Sequence, residues 1–109
     1  MRFLVLIEGV PGGPLMPREQ TLSLIKECWA WARRQKELGK AEVQYALADH
    51  AGGLEGGVGI AKVESLEELA EVLATYPAVG LVTFKVYPLV AVEVTEKIIE
   101  AAMAQLPKR

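Results

Sequence analysis

The sequence holds one cysteine, Cys28, and one histidine, His50, in 109 residues. A lone cysteine excludes an intrachain disulfide and points to a reducing, cytoplasmic compartment. Neither residue has a second soft ligand at zinc spacing, so no metal site is expected. Charge is equally sparse in pattern. Twelve basic and 14 acidic residues leave a net −2, and no basic block supplies the electrostatic footprint of a nucleic-acid-binding surface. Long apolar runs are absent too. Phe3 to Ile7 is interrupted at Glu8 and Gly9, too soon for a membrane span or a signal-peptide core. Glycines are not scarce, but those from Gly52 to Gly59 do not carry a strand into a helix, so they form no phosphate loop. The Gly9 to Pro17 stretch lacks the lysine such a loop needs. No internal repeat or low-complexity tract is present.

What remains is an ordinary globular composition shifted toward the apolar side, with 51% hydrophobic residues and a mean hydropathy of +0.23. The length fits one domain spanning residues 1–109. A domain this small has a large surface for its volume, so surplus apolar residues are expected in an oligomer interface.

The elements follow from periodicity. Phe3 to Ile7 is apolar on both faces, the mark of a central strand. After the Gly- and Pro-rich loop from Gly9 to Pro17, residues Arg18 to Leu38 predict the longest helix. Leu22, Ile25, Trp29 and Ala32 set its stripe, Pro17 sits at its start and Gly39 at its C′ position. Glu42 to Asp49 alternates as a second strand, Ala51 to Gly57 as a connection, and Val58 to Val63 as a third strand. Gly57 and Gly59 leave one face of that region nearly bare, open to the approach of a side chain or ligand. Ser65 and Glu68 form a capping box for a helix carrying Leu66, Leu69, Val72, Leu73 and Tyr76, which Pro77 terminates. Leu81 to Tyr87 is a fourth strand, and Pro88 disfavours an unbroken central position there. Val94 to Leu106 is a last helix with Ile98, Ile99, Ala102, Met103 and Leu106 on one face.

The order is that of an α+β, ferredoxin-like βαββαβ domain with a four-stranded antiparallel sheet plus an added C-terminal helix. Two helices cover one sheet face only. The other needs cover. The last helix can supply some, and a second copy of the sheet can supply more, which predicts a homodimer or higher homo-oligomer.

The run from Gly57 to Leu89 carries a resemblance. A glycine-flanked strand leads into Val63-Glu64-Ser65-Leu66-Glu67-Glu68-Leu69, a short helix ends at Pro77, and a strand closes on Val86-Tyr87-Pro88-Leu89. This resembles the dimeric α+β barrel superfamily, and most of all its muconolactone isomerase-like members. The resemblance covers most of residues 1–90. It implies a cofactor-free protein whose paired sheets close into a barrel, with pockets beside the first helix, and acid–base isomerisation of a small unsaturated acid or lactone by side chains alone. The family's second strand brings tryptophan and arginine to its pocket. The corresponding segment here, Glu42 to Ala48, has neither.

Two groups are candidates for the acid–base role. Glu27 falls near the acidic position of the isomerase's first helix, and burial would raise its pKa toward a useful range. His50 titrates near neutrality, and some members of the superfamily use a His–Asp pair, which adjacent Asp49 would complete. Tyr45, Trp31 and Tyr87 are candidate substrate-binding residues, each an oriented polar or aromatic group for an apolar pocket. Cys28, in the helix stripe, reads as a small buried hydrophobe. The alternative to an isomerase is a non-catalytic barrel that binds a small ligand or is filled by its own side chains.

Overall fold

The computed structural model describes residues 1–9, 16–48 and 54–107. Four strands and three helices follow in the order β1 (Arg2–Gly9), α1 (Arg18–Glu37), β2 (Ala41–Ala48), β3 (Leu54–Lys62), α2 (Leu66–Ala74), β4 (Val82–Leu89) and α3 (Val92–Ala104). The strands form one antiparallel sheet in the order β2-β3-β1-β4. This is the expected ferredoxin-like arrangement, with β1 inside the sheet and β4 on its edge. An edge place is what lets Pro88 sit opposite Phe3 in the ladder, since its missing N–H then costs no inner hydrogen bond.

Register divides the side chains between two faces. Phe3, Val5 and Ile7 of β1 stand opposite Ala61, Gly59 and Gly57 of β3, and opposite Pro88, Val86 and Phe84 of β4. These share the inner face, against the helices. Phe3, Val5 and Val63 form the buried core with Leu69 of α2, and Leu73, Phe84 and Val86 pack around it. Leu4 and Leu6 point to the outer face, with Val58 and Ile60 beside them.

Local signals place the helices. Leu38, Gly39 and Lys40 close α1 in a Schellman motif. Gly39 adopts φ 76°, its N–H donates to the Lys36 carbonyl at 3.0 Å, and the Lys40 N–H donates to the Gln35 carbonyl at 2.9 Å. At the start of α2 the Ser65 Oγ accepts from the Glu68 N–H at 3.1 Å. The Glu68 carboxylate reaches back one residue further than a standard capping box, accepting from the Glu64 N–H at 2.9 Å.

Three expectations are corrected. Residues Leu54 to Gly57 belong to β3 rather than to a connection, because the ladder with β1 and β2 continues through them. Glycine is required there for close approach, since a Cβ on Gly56 would run into the Ile7 carbonyl. The last helix begins two residues earlier than its apolar stripe suggests. That helix also covers none of its own sheet. Ile98, Ile99 and Met103 are each about 60% exposed and no residue of α3 is buried. With α3 standing clear, the radius of gyration is 18.2 Å, against about 13 Å for a compact chain of this length.

A bulge at the start of β2 leaves Glu42 without a ladder partner. Its carboxylate accepts from the Arg2 Nε at 3.0 Å through both oxygens, and this hydrogen bond holds the Glu42 carboxyl below its ordinary range.

The core predicts a ranking of stabilities. Leu69→Ala should cost roughly 3 kcal/mol, as a cavity beside Phe3 that cannot collapse. Ser65→Ala should cost about 1 kcal/mol, the usual value of a helix cap. Urea unfolding followed by circular dichroism measures both, and equal losses would contradict the ranking.

Candidate functional site

The inner face of the β2–β3 half of the sheet has almost no side chains. β3 presents Gly57, Gly59 and Ala61 there, and β2 presents Ala41, Gln44 and Ala46. α1 lies over this half. A helix cannot pack closely on a floor whose side chains are too short to meet it, so a cleft of about 670 Å³ remains between them. That volume is within the range of small-molecule sites.

One polar strut crosses the gap. The Gln44 Nε2 donates to the Ala32 carbonyl at 2.6 Å, tying β2 to α1. On the β1–β4 side the cleft is closed by aromatics. The Trp31 Nε1–H donates to the Thr75 Oγ1 at 2.7 Å, just beyond α2, and its ring meets Tyr76 edge-on at 5.0 Å. Tyr76 in turn meets Phe84 at 5.7 Å. The rest of the lining is chiefly aliphatic, including Val5, Ile7, Ile25 and Val72.

Gln44 is not the only polar group in this lining. Gln35 is 8% exposed and, among the described residues, its carboxamide makes no side-chain hydrogen bond. Cys28 is buried beside Tyr76. Burial, with a further contribution from Cys28, pushes the Tyr76 phenol well above the ordinary tyrosine range. Tyr76 is therefore a neutral phenol in the cleft lining. Lys40 and Arg33 also contribute to the lining, at the α1 C-terminal half.

Of the candidate site residues, Trp31 and Tyr45 line the cleft, Tyr45 with its carbonyl beside Gly57. Glu27 is exposed and borders a separate shallow depression with Met16, Glu19, Gln20, Ser23 and Leu24. Tyr45 stands opposite Val58, and Tyr87 opposite Leu4, so both rings are on the outer face of the sheet. His50 and Asp49 lie outside the described residues. Among the described residues, no cluster of His, Cys, Asp and Glu is arranged to hold a metal. Gln35, Gln44 and Tyr76 were not anticipated as site residues. The available signal was a polar residue on each of two otherwise apolar or small-residue faces.

The sheet order and the two helices on one face define a ferredoxin-like α+β fold of the muconolactone isomerase-like kind. A family model for the YCII-related domain matches residues 1–93, and the chain belongs to that family. No curated protein matches it. Among solved structures, muconolactone isomerase is similar with a TM-score of 0.68 and 21% identity, over 84% of this chain and 90% of that one. The 5-chloro-2-hydroxyhydroquinone dehydrochlorinase of Burkholderia phenoliruptrix AC1100, in complex with 2,5-dihydroxybenzoquinone, is similar with a TM-score of 0.66 and 19% identity, over 83% of this chain and 94% of that one.

The state of Tyr76 gives a test by titration. A phenol whose folded pKa is raised favours the folded state below the ordinary tyrosine pKa, and that contribution is lost as pH rises past it, because the unfolded chain ionises first. In an ultraviolet titration of the three tyrosines, one should resist ionisation until the fold is lost. Tyr76→Phe should remove that lagging step. A lagging step that persists in Tyr76→Phe would show that Tyr76 is not its source.

Proposed function

We propose that this protein binds a compact, largely apolar molecule carrying oxygen substituents in the cleft between α1 and the β2–β3 floor. The observation that carries the reading is the floor itself. Gly57, Gly59, Ala46 and Ala61 hold open a space that larger residues would fill. Trp31 supplies an aromatic wall, while Gln35 and Tyr76 supply neutral hydrogen bonds that suit hydroxyl or carbonyl oxygens. The names of the two structural neighbours favour the same ligand class, one a lactone isomerase and the other a complex with a dihydroxybenzoquinone.

Gly57→Val gives a direct test. A Cβ at Gly57 meets only the Tyr45 carbonyl, at 3.5 Å, so the variant should fold while losing cleft volume. With 2,5-dihydroxybenzoquinone as probe, binding followed by tryptophan quenching should weaken at least about tenfold, and Trp31→Phe should weaken it less. Unchanged binding by Gly57→Val would place the site elsewhere.

A second reading adds acid–base isomerisation of a small unsaturated acid or lactone, without a cofactor. It is favoured by the chemistry of the same two neighbours. His50 is its preferred base, because Glu27 borders a different depression from the cleft. His50→Ala should then abolish solvent deuterium exchange into a bound lactone, and Glu27→Gln should leave it intact. Exchange in the His50→Ala variant at the native rate would remove His50 from the reaction.

Self-pairing through the outer sheet face is part of the reading. Leu4, Leu6, Val58 and Ile60 form an apolar patch at the centre of that face, flanked by Tyr45 and Tyr87. The Lys85–Glu8 pair, 3.7 Å apart, lies on the same face. Light scattering should report twice 11.9 kDa at micromolar concentration, and a single species at 11.9 kDa would exclude the pairing. A reducing, cytoplasmic location fits the single buried thiol.

A further inference from the structure

The cleft contains one nucleophile that reversible binding leaves unused. Cys28 is 9% exposed, and a thiol shut away in packed apolar surroundings is ordinarily inert. Cys28 is not so enclosed, because it lines the cleft of about 670 Å³ between α1 and the β2–β3 floor. A molecule small enough to enter that space reaches the thiol, whereas a bulky reagent in solution does not. Among the described residues, the lining includes no aspartate, glutamate or histidine, and Cys28 is the only thiol of the chain.

A second observation, independent of the thiol, points to a ligand. Gln35 is 8% exposed, lines the same cleft and, among the described residues, makes no side-chain hydrogen bond. A buried carboxamide without partners is costly, and an oxygen of a molecule in the cleft would take up its N–H donors. Gln35 follows Cys28 by seven residues in α1. That is within about 20° of two full turns, so the two share one face, about 10 Å apart along the axis. Helical side chains lean toward the N-terminus, which brings the Gln35 amide back toward Cys28. Tyr76 adds a phenol beside Cys28. The interval left between amide and thiol suits a molecule of one ring.

We propose that Cys28 is a covalent attachment site for a small α,β-unsaturated carbonyl compound, a quinone above all, seated in the cleft with a carbonyl oxygen on Gln35. The inference rests on the cleft being the ligand site and adds a reaction to it. The Cys28 Sγ forms a bond to the β-carbon. The π pair of the C=C bond moves toward the carbonyl, whose own π pair goes to its oxygen, and that oxygen takes the proton released by the thiol. In a quinone the hydrogen on the attacked carbon then passes, as a proton, to the second carbonyl oxygen. The product is a hydroquinone joined to the protein by a thioether. The ring is reduced by rearrangement of its own electrons as the C–S bond forms, so no oxidant or reductant enters. Gln35 is a positioning residue here, holding the carbonyl whose oxygen gains charge.

The test treats the full chain with 1,4-benzoquinone at neutral pH and follows the intact mass, with peptide mapping to locate the adduct. The native chain should gain the mass of one quinone on Cys28, at a rate that saturates as the quinone concentration rises, because binding precedes addition. Cys28→Ser should lose this saturating phase. Gly57→Val, which narrows the cleft, should slow the addition at least about tenfold. Gln35→Met keeps the length of the side chain and removes its donors. It should raise the half-saturating concentration about fivefold without lowering the melting temperature, which a merely structural role would not produce. No adduct on Cys28, a rate that stays linear in quinone, or equal rates in native and Gly57→Val each overturn the proposal, and an unchanged half-saturation in Gln35→Met removes Gln35 from it. Saturable tryptophan quenching by 2,5-dihydroxybenzoquinone without any adduct from benzoquinone overturns the covalent step and leaves the binding reading standing.

Discussion

The shortness of the side chains on the inner face of β2 and β3 is the constraint on which the site depends. Where β1 and β4 carry Phe3, Val5, Val86 and Phe84, α2 packs tightly and buries Leu69 to 1% exposure. Where β2 and β3 carry alanine and glycine, α1 has nothing to settle on. The same sheet therefore has a packed half and an open half. Trp31, Tyr76 and Phe84 stand at the boundary, each ring meeting the next edge-on. A cleft between packed and open halves has a fixed rear wall, which is what positions a ligand without requiring movement of the core.

The cost of holding a helix off a sheet is lost dispersion and hydrophobic contact. Two features offset it locally. The Gln44 strut and the Trp31–Thr75 hydrogen bond tie α1 to the sheet and to the segment after α2, at 2.6 Å and 2.7 Å. The Schellman motif at Gly39 fixes the C-terminal end of α1 just before β2 begins. Gln35 lies in the last turns of that helix, with its backbone carbonyl engaged by the motif and its side chain in the cleft. A helix end that is tied down makes such a carboxamide a positioned group, whereas on a frayed end it would average over many rotamers.

Much of the architecture was legible because its signals are local. Ser65 with Glu68, Pro77 after Tyr76, and Gly39 after Leu38 each act within a few residues, and each produced its element boundary. The bare face at Gly57 and Gly59 was legible for the same reason, because an absent side chain needs no partner to be noticed. The contributions of Tyr76 and Gln35 were not. Tyr76 reads as the last apolar residue of a helical stripe, and only register brings it against Trp31, a residue 45 positions earlier in the chain. The faces of Tyr45 and Tyr87 were likewise undetermined until the pairing of Tyr45 with Val58 and of Tyr87 with Leu4 was known. In a strand, one residue of slip exchanges the two faces. Periodicity shows that a strand has two faces, and long-range pairing decides which of them meets the helices.

The two faces of the sheet then have separate tasks. The inner face makes the core and the cleft within one copy. The outer face and α3 hold apolar side chains that one copy leaves exposed, among them Tyr87, Leu89, Val90, Val92 and Ile98. α3 departs from the edge strand β4, and none of its residues is buried. The outer face thus shares no side chain with the proposed ligand floor, so that either can change in sequence without rebuilding the other.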